Sequence, residues 1–182
     1  MRRTLLLLFS FVVIGPLWAQ KGLYITRNGQ VHFISEAPLE TIEAESNELS
    51  GIINPRNNQF AFSIPVASFH GFNGPLQEEH FNENYLESEQ YVQATFKGRI
   101  IEKVDLMKDG EYHLRAKGVF NIHGVEQTKV IDNYVKVNDG KLQIHSVFPI
   151  LLADFDIHIP RIVRQKVSQE IMINVSAELE YK

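Results

Sequence analysis

Several long stretches of this chain alternate apolar and polar side chains, and this period of two limits the possible folds more than any other feature. The clearest stretch places six side chains on one face: Ile171, Ile173, Val175, Ala177, Leu179 and Tyr181. Residues two apart point to the same side of a β-strand, so this stretch predicts a strand with one buried face. The same alternation occurs over residues 60–66, 94–100, 112–120 and 141–152, and turn signals such as Asp109-Gly110 and Asp139-Gly140 separate the stretches.

Long amphipathic strands predict an all-β fold whose apolar faces share one interior. An antiparallel sheet of such strands exposes unpaired edges unless it closes on itself or is covered. We therefore predict a lipocalin-like antiparallel barrel of about eight strands, which can enclose side chains or one small ligand.

One stretch, residues 75–86, departs from the alternation. It places Leu76, His80 and Asn84 on one helical stripe, and Pro75 suits the first turn of a helix. We predict one short helix here.

The composition excludes several classes of function. The chain has 182 residues, with 18 Lys and Arg against 22 Asp and Glu, and no Cys. A net charge of −4 without a basic block gives no electrostatic footprint for nucleic acid. The lack of Cys excludes disulfides, thiolate nucleophiles and Cys-ligated zinc.

The first nineteen residues have the layout of a secretory signal peptide. Arg2 and Arg3 precede the apolar run 5–14, and the small residue Ala19 follows Gly15-Pro16. We predict cleavage near Ala19, one domain over residues 20–182, and a periplasmic or secreted location. No segment supplies the ~20 apolar residues of a transmembrane helix.

No catalytic motif stands out in the sequence. A nucleophile elbow, a P-loop and a dinucleotide fingerprint are all missing, and the seven His residues show no metal-ligand spacing. Asp154 and Asp156 would share one face of a strand, as paired catalytic carboxylates can. A structural role, with hydrogen bonds to backbone at a barrel end, is the better interpretation, and a charge pair with Arg161 or Arg164 is available. We predict no enzyme activity, no cofactor and no metal.

Three segments carry a recognisable pattern: HFNENYLESEQYVQATF at 80–96, GVFNIHGV at 118–125 and FPILLADFDI at 148–157. In order and spacing they resemble the YceI-like family of bacterial exported polyisoprenoid-binding proteins. Two departures are Phe81, where the family usually has Leu, and Asp156, where it has Gly after Asp-Phe. The resemblance covers nearly the whole chain after the predicted signal peptide.

The resemblance implies a barrel whose apolar lumen holds a long isoprenoid lipid, such as a polyprenyl phosphate or a quinone. Moving each CH₂ of the lipid tail out of water contributes roughly 0.8 kcal/mol. The alternation alone selects eight candidate lumen residues: Phe60, Phe62, Ile64, Phe96, Leu114, Phe120, Phe148 and Ile150. Alternatively these side chains fill the interior, and the protein is then an envelope interaction protein without a lipid ligand. The sequence leaves open whether the barrel forms a homodimer.

Aromatic residues on and around the predicted helix are candidates for a mouth or lid: Phe69, Phe72, Phe81, Tyr85 and Tyr91. The same residues could instead seat the helix on the end of the barrel. The one local basic cluster contains Arg161, Arg164 and Lys166. We consider Arg161 and Arg164 for binding a phosphate headgroup at the rim, or for balancing nearby acids.

Overall fold

The computed structural model describes residues 22–182, in which eight antiparallel strands close into one barrel. The strands are β1 (Tyr24–Glu36), β2 (Thr41–Asn54), β3 (Gln59–Pro65), β4 (Gln93–Ile100), β5 (Gly110–Ile122), β6 (Val125–Asn138), β7 (Lys141–Leu151) and β8 (Glu170–Tyr181). They follow one another around the wall in chain order, and β8 pairs with β1 to close it. The prediction of an antiparallel, lipocalin-like barrel with one short helix is confirmed, whereas the predicted signal peptide lies outside the described residues.

The alternation of the strands turns apolar side chains to the interior. On β8, Ile171, Ala177 and Leu179 are buried, while Met172 and Glu178 face solvent. A slip of one residue in register would move the whole apolar set to the outer surface, so the buried face fixes the register.

The one α-helix among residues 22–182, α1 (Pro75–His80), continues directly into a π-helical turn over Phe81–Tyr85. The amide of Leu86 donates to the carbonyl oxygen of Phe81, five residues earlier. This wider turn changes the helical spacing after His80, so the single helical stripe predicted for Leu76, His80 and Asn84 is interrupted before Asn84. Within residues 22–182, no helix is long and apolar enough to cross a membrane.

One end of the barrel is closed by core packing. The connection between β4 and β5, residues 101–109, carries Leu106, whose side chain is 0% exposed. The hydroxyl of Tyr24 donates to the carbonyl oxygen of Leu106 over 2.8 Å. Leu142 and Leu179 lie opposite each other in this region and are also fully buried. We call this the closed end.

The opposite end, which we call the open end, carries four connections, two of them long. These are residues 37–40, residues 66–92 with α1, the turn at 123–124, and residues 152–169. They surround the entrance to the interior, and Phe155 and Ile157 of the last connection pack in a buried cluster with Phe120, Ile131 and Ile150.

The hydrogen-bond ladder between β6 and β7 is short. β6 pairs with β7 only between Tyr134 and Asn138, whereas β7 pairs with β8 along its whole length. A 3₁₀ turn, Leu152–Phe155, packs against both β6 and β7 beyond that point. In it, Asp154 accepts a hydrogen bond from the Lys129 ammonium at 2.5 Å. The predicted pairing of Asp154 with Arg161 or Arg164 is therefore wrong.

Asp156 follows this turn with φ of 56°, in the left-handed region. Asp154 and Asp156 thus do not share the face of a strand, contrary to the prediction. Glycine adopts positive φ without a Cβ penalty, and Asp tolerates it better than most residues. This backbone conformation accounts for the Gly that the family pattern has at the position of Asp156.

Candidate ligand-binding cavity

The open end leads into an internal cavity of about 580 Å³, lined by side chains from all eight strands and from α1. Small-molecule sites in proteins usually measure roughly 300 to 1,000 Å³. The alternative of an interior filled by side chains is therefore wrong for this chain.

All eight residues that the alternation selected for the lumen line this cavity: Phe60, Phe62, Ile64, Phe96, Leu114, Phe120, Phe148 and Ile150. Inward and exposed residues alternate along β5 and β7, which carry four of the eight. That these side chains contact a ligand stays a prediction.

An aromatic band crosses three neighbouring strands inside the cavity. Phe62, Phe96 and Phe120 are register partners on β3, β4 and β5. The rings of Phe96 and Phe120 stack with centroids 4.1 Å apart, and Phe148 lies 5.7 Å from Phe120. A Cβ at Gly118 would approach the Phe96 ring to 2.8 Å, so a glycine is needed there for this ring position. The band forms a rigid apolar surface at mid-wall.

Four of the five predicted mouth residues line the cavity at its open end: Phe69, Phe72, Phe81 and Tyr85. The rings of Phe69, Phe72 and Phe81 surround Phe33 of β1, with centroid distances of 5.5, 5.9 and 5.6 Å. Burial raises the pKa of the Tyr85 hydroxyl above its ordinary value. These aromatics both seat the α1 segment on the barrel and form part of the cavity wall.

Tyr91 does not line the cavity, contrary to the prediction. Its ring packs edge-on against His123, with centroids 4.5 Å apart, and a Cβ at Gly124 would lie 2.5 Å from the Tyr91 ring. His123 and Gly124 form the turn between β5 and β6. Tyr91 therefore covers this turn.

The basic segment 161–166 contributes one cation, Lys166, to the lining of the cavity. Arg161 and Arg164 do not line it, whereas Val163, Lys166 and Val167 do. Residues three and four apart share a face when the chain turns helically, as it does from the 3₁₀ turn Arg161–Val163 onward. Lys166 is thus a cation that lines the cavity, and the role of Arg161 and Arg164 as headgroup ligands at the rim stays a prediction.

Charged and titratable groups lie at the mouth of the cavity. Glu40, His80 and Lys166 all come from connections or helix at the open end. The Glu40 carboxylate accepts a hydrogen bond from the Gln77 amide at 2.6 Å. Among residues 22–182, no group of three or more His, Asp or Glu side chains could hold a metal ion.

One polar pair, missed by the sequence reasoning, lies deeper in the cavity wall. The Ser146 hydroxyl donates to the Asn133 side-chain oxygen at 2.5 Å, and the Asn133 amide donates to the Ile131 carbonyl at 2.8 Å. The pair bridges β6 and β7 just past the point where their ladder ends. An Asn on the inner face of β6, between Ile131 and Val135, was the signal that could have revealed it.

Residues 25–179 match the family model of the YceI-like domain. A polyisoprenoid-binding domain from Saccharophagus degradans is similar in structure, with a TM-score of 0.75, 14% identity, and coverage of 90% of this chain and 100% of that one. Burkholderia cenocepacia BcnA gives 0.69 and 19%, with 82% and 95% covered. The YceI protein of Campylobacter jejuni gives 0.56 and 16%, with 100% and 99% covered.

No curated protein matches the sequence of this chain. At these identities the solved structures show a shared fold, and the family model covers nearly all of the described residues. This chain belongs to the YceI-like domain family.

Proposed function

We propose that this protein is a non-catalytic binding protein that holds an isoprenoid lipid, of the polyprenyl phosphate or quinone type, in its barrel lumen. It acts as a carrier, a store or a sequestering agent for that lipid. The observation that carries the proposal is the apolar cavity of about 580 Å³ that opens at one end of the barrel. The similar domain from Saccharophagus degradans, described as polyisoprenoid-binding, supports the choice of ligand class.

The chemistry of the wall favours a long apolar ligand. Aromatic and aliphatic side chains dominate the lining, and the deep polar pair, Asn133 and Ser146, is already hydrogen-bonded within the protein. Apolar burial is non-directional, so such a wall selects a ligand by length and girth more than by its ring or headgroup. At the mouth, the Lys166 ammonium is placed to contact an anionic headgroup.

We further propose that the protein is exported to the periplasm or secreted after cleavage near Ala19. The Arg2-Arg3 pair, the apolar run and Ala19 support this proposal. N-terminal sequencing of protein recovered outside the cytoplasm should then begin at or near Gln20, whereas recovery of the chain with its first residues intact would contradict it.

Native mass spectrometry of the mature protein purified from a bacterial periplasm tests the lipid proposal directly. We expect a stoichiometric adduct whose organic extract fragments as an isoprenoid. A clean apo mass that persists after incubation with quinones and polyprenyl phosphates would contradict carriage and favour an envelope interaction protein.

Variants of the wall test the assigned binding face. Phe96→Asp and Ile150→Asp should abolish lipid uptake, because each buries an unpaired charge in the lumen. Ala94→Phe should reduce uptake by filling the lumen with no charge at all. Val130→Asp, on the exposed outer face of β6, adds the same charge without touching the cavity and should leave uptake unchanged.

Folding of every variant is checked by circular dichroism and thermal unfolding. A folded Phe96→Asp protein that takes up lipid as well as the wild type would refute the assigned lumen.

A further inference from the structure

Two strongly exposed apolar side chains at the open end do not line the cavity. Ile162 is 92% exposed and Leu39 is 67% exposed. They belong to neighbouring connections, because the Leu39 amide donates to the carbonyl oxygen of Gln165 at 2.9 Å. We call residues 37–39 and 161–166 together the cationic rim.

The charge of the cationic rim differs from that of the rest of the chain. Residues 157–169 contain no acidic side chain and three basic ones, Arg161, Arg164 and Lys166. Within residues 22–182, none of the three forms an ion pair. Without residues 1–19 the chain carries 16 basic against 22 acidic side chains, a net charge of −6. The 161–166 part of the rim is thus a local positive segment on a negative protein, and Glu36 and Glu40 flank the 37–39 part.

We propose that the cationic rim docks on the surface of an anionic lipid bilayer. Ile162 and Leu39 enter the boundary between headgroups and acyl chains, and the side chains of Arg161 and Arg164 contact lipid phosphates. Apolar tips flanked by Arg and Lys bind membrane interfaces in this way, by apolar burial together with attraction to anionic lipid. This membrane contact goes beyond the proposed carriage of a lipid.

The same segment also connects the proposed membrane contact to the cavity. Val163, Lys166 and Val167 line the cavity, while Arg161, Ile162 and Arg164 face solvent. Docking through the rim therefore places the cavity mouth at the membrane surface, where a lipid can exchange without crossing bulk water.

Acidic residues restrict the docking to this part of the open end. Glu78 and Glu79 lie on α1, and Glu78 already accepts a hydrogen bond from His70 at 2.9 Å. Their repulsion from anionic lipid keeps α1 away from the bilayer, so the barrel approaches it tilted toward the 161–166 segment.

Flotation of the mature full-length protein with vesicles tests the proposal. We expect association with vesicles of phosphatidylcholine plus phosphatidylglycerol, little association with phosphatidylcholine alone, and weakening by added salt. Arg161→Gln and Arg164→Gln should each weaken association about fivefold, from about 1 kcal/mol per cation near an anionic surface. Ile162→Ser should weaken it about tenfold through the lost apolar burial.

Met107→Ser is the matched control, because Met107 is 51% exposed in the 101–109 connection at the closed end. We expect it to float like the wild type. The proposal is overturned if wild-type protein does not associate with the anionic vesicles, if Ile162→Ser associates equally well, or if Met107→Ser loses as much. Since Ile162 is almost fully exposed, its replacement leaves the core intact, and thermal unfolding verifies this.

Loading of the lumen is measured separately, by native mass spectrometry of each variant. Ile162→Ser should carry the same adduct as the wild type. Wild-type protein that floats without any lipid adduct would contradict carriage alone, and loaded protein that does not float would contradict docking alone.

Discussion

The two ends of the barrel extend from the same eight strands, yet one end is core and the other is an entrance. At the closed end, the 101–109 connection inserts Leu106 beneath the strands and is held there by the Tyr24 hydroxyl. At the open end, Phe155 and Ile157 are buried beside the wall, while the connections 66–92 and 152–169 also line the mouth of the cavity. The strands thus form the wall at both ends, and the connections determine whether the interior at each end is packed core or binding site.

We expect the largest difference in the free energy of unfolding when a leucine at each end is replaced by alanine. Leu106→Ala should lower the free energy of unfolding by about 3 kcal/mol, because it leaves a void in packed core. Leu76→Ala, at a 61% exposed position of α1, should change it by less than about 0.5 kcal/mol. Urea unfolding of both variants measures the difference, and equal losses would show that the ends are not packed differently.

Hydrogen exchange tests whether the contrast extends to mobility. Backbone amides of residues 71–85 should exchange at least about tenfold faster than those of β7 and β8, because this segment forms no ladder with the barrel. If residues 71–85 are protected as well as the strands, the aromatic contacts to Phe33 hold the segment shut and it does not act as a lid.

Removal of one hydroxyl group, that of Tyr24, is a smaller test of what stabilises the closed end. Tyr24→Phe should lower the free energy of unfolding by about 1 kcal/mol, since it removes the hydrogen bond to the Leu106 carbonyl. Burial, together with the nearby Tyr181 and Asp109, raises the pKa of Tyr24 above 10.0.

The raised pKa of Tyr24 gives this effect a pH dependence. The folded state disfavours the ionised phenol, so the stabilisation is fully present below pH 10 and falls as the pH rises through the raised pKa. Tyr24→Phe should therefore lose less stability than the wild type in alkaline unfolding experiments. A parallel loss in both proteins would contradict the assignment to Tyr24.

We expect the smallest effect when one aspartate at each end is replaced by glycine. Asp156 at the open end and Asp139 at the closed end both have positive φ, 56° and 48°. Asp156→Gly and Asp139→Gly should each change the free energy of unfolding by less than about 0.5 kcal/mol, because relief of strain offsets the added chain entropy of Gly. A loss above about 1 kcal/mol in thermal unfolding would show that the carboxylate itself stabilises one of the turns.

The wall was predictable from the sequence because strand geometry is regular. A period of two, once recognised, fixes the face of each residue along a strand, and this is why Phe96, Leu114 and the other lumen candidates all line the cavity. The volume between the faces was not predictable, because periodicity carries no information about how far opposite side chains reach.

The open end was harder to predict because its connections have no single period. Tyr91 follows the helix closely in sequence but turns to the His123 turn, and nothing in its spacing distinguishes the two directions. In the basic cluster, the helical spacing of Val163, Lys166 and Val167 was available as a signal for the inner face. The sequence contains no comparable signal for the π-helical turn Phe81–Tyr85, which contains Asn84.

The pairing of β1 with β8 also affects the order in which the barrel can form. Val31 lies opposite Val175 in this pairing, so the contact joins segments made near the start and near the end of the barrel's synthesis. A nascent chain with only seven strands cannot complete the ring, and it displays the free edges of β1 and β7. Such long-range pairing forms slowly, and unfinished edges attract other chains. Until the eighth strand pairs, the barrel is therefore an open sheet with two edges available to other chains.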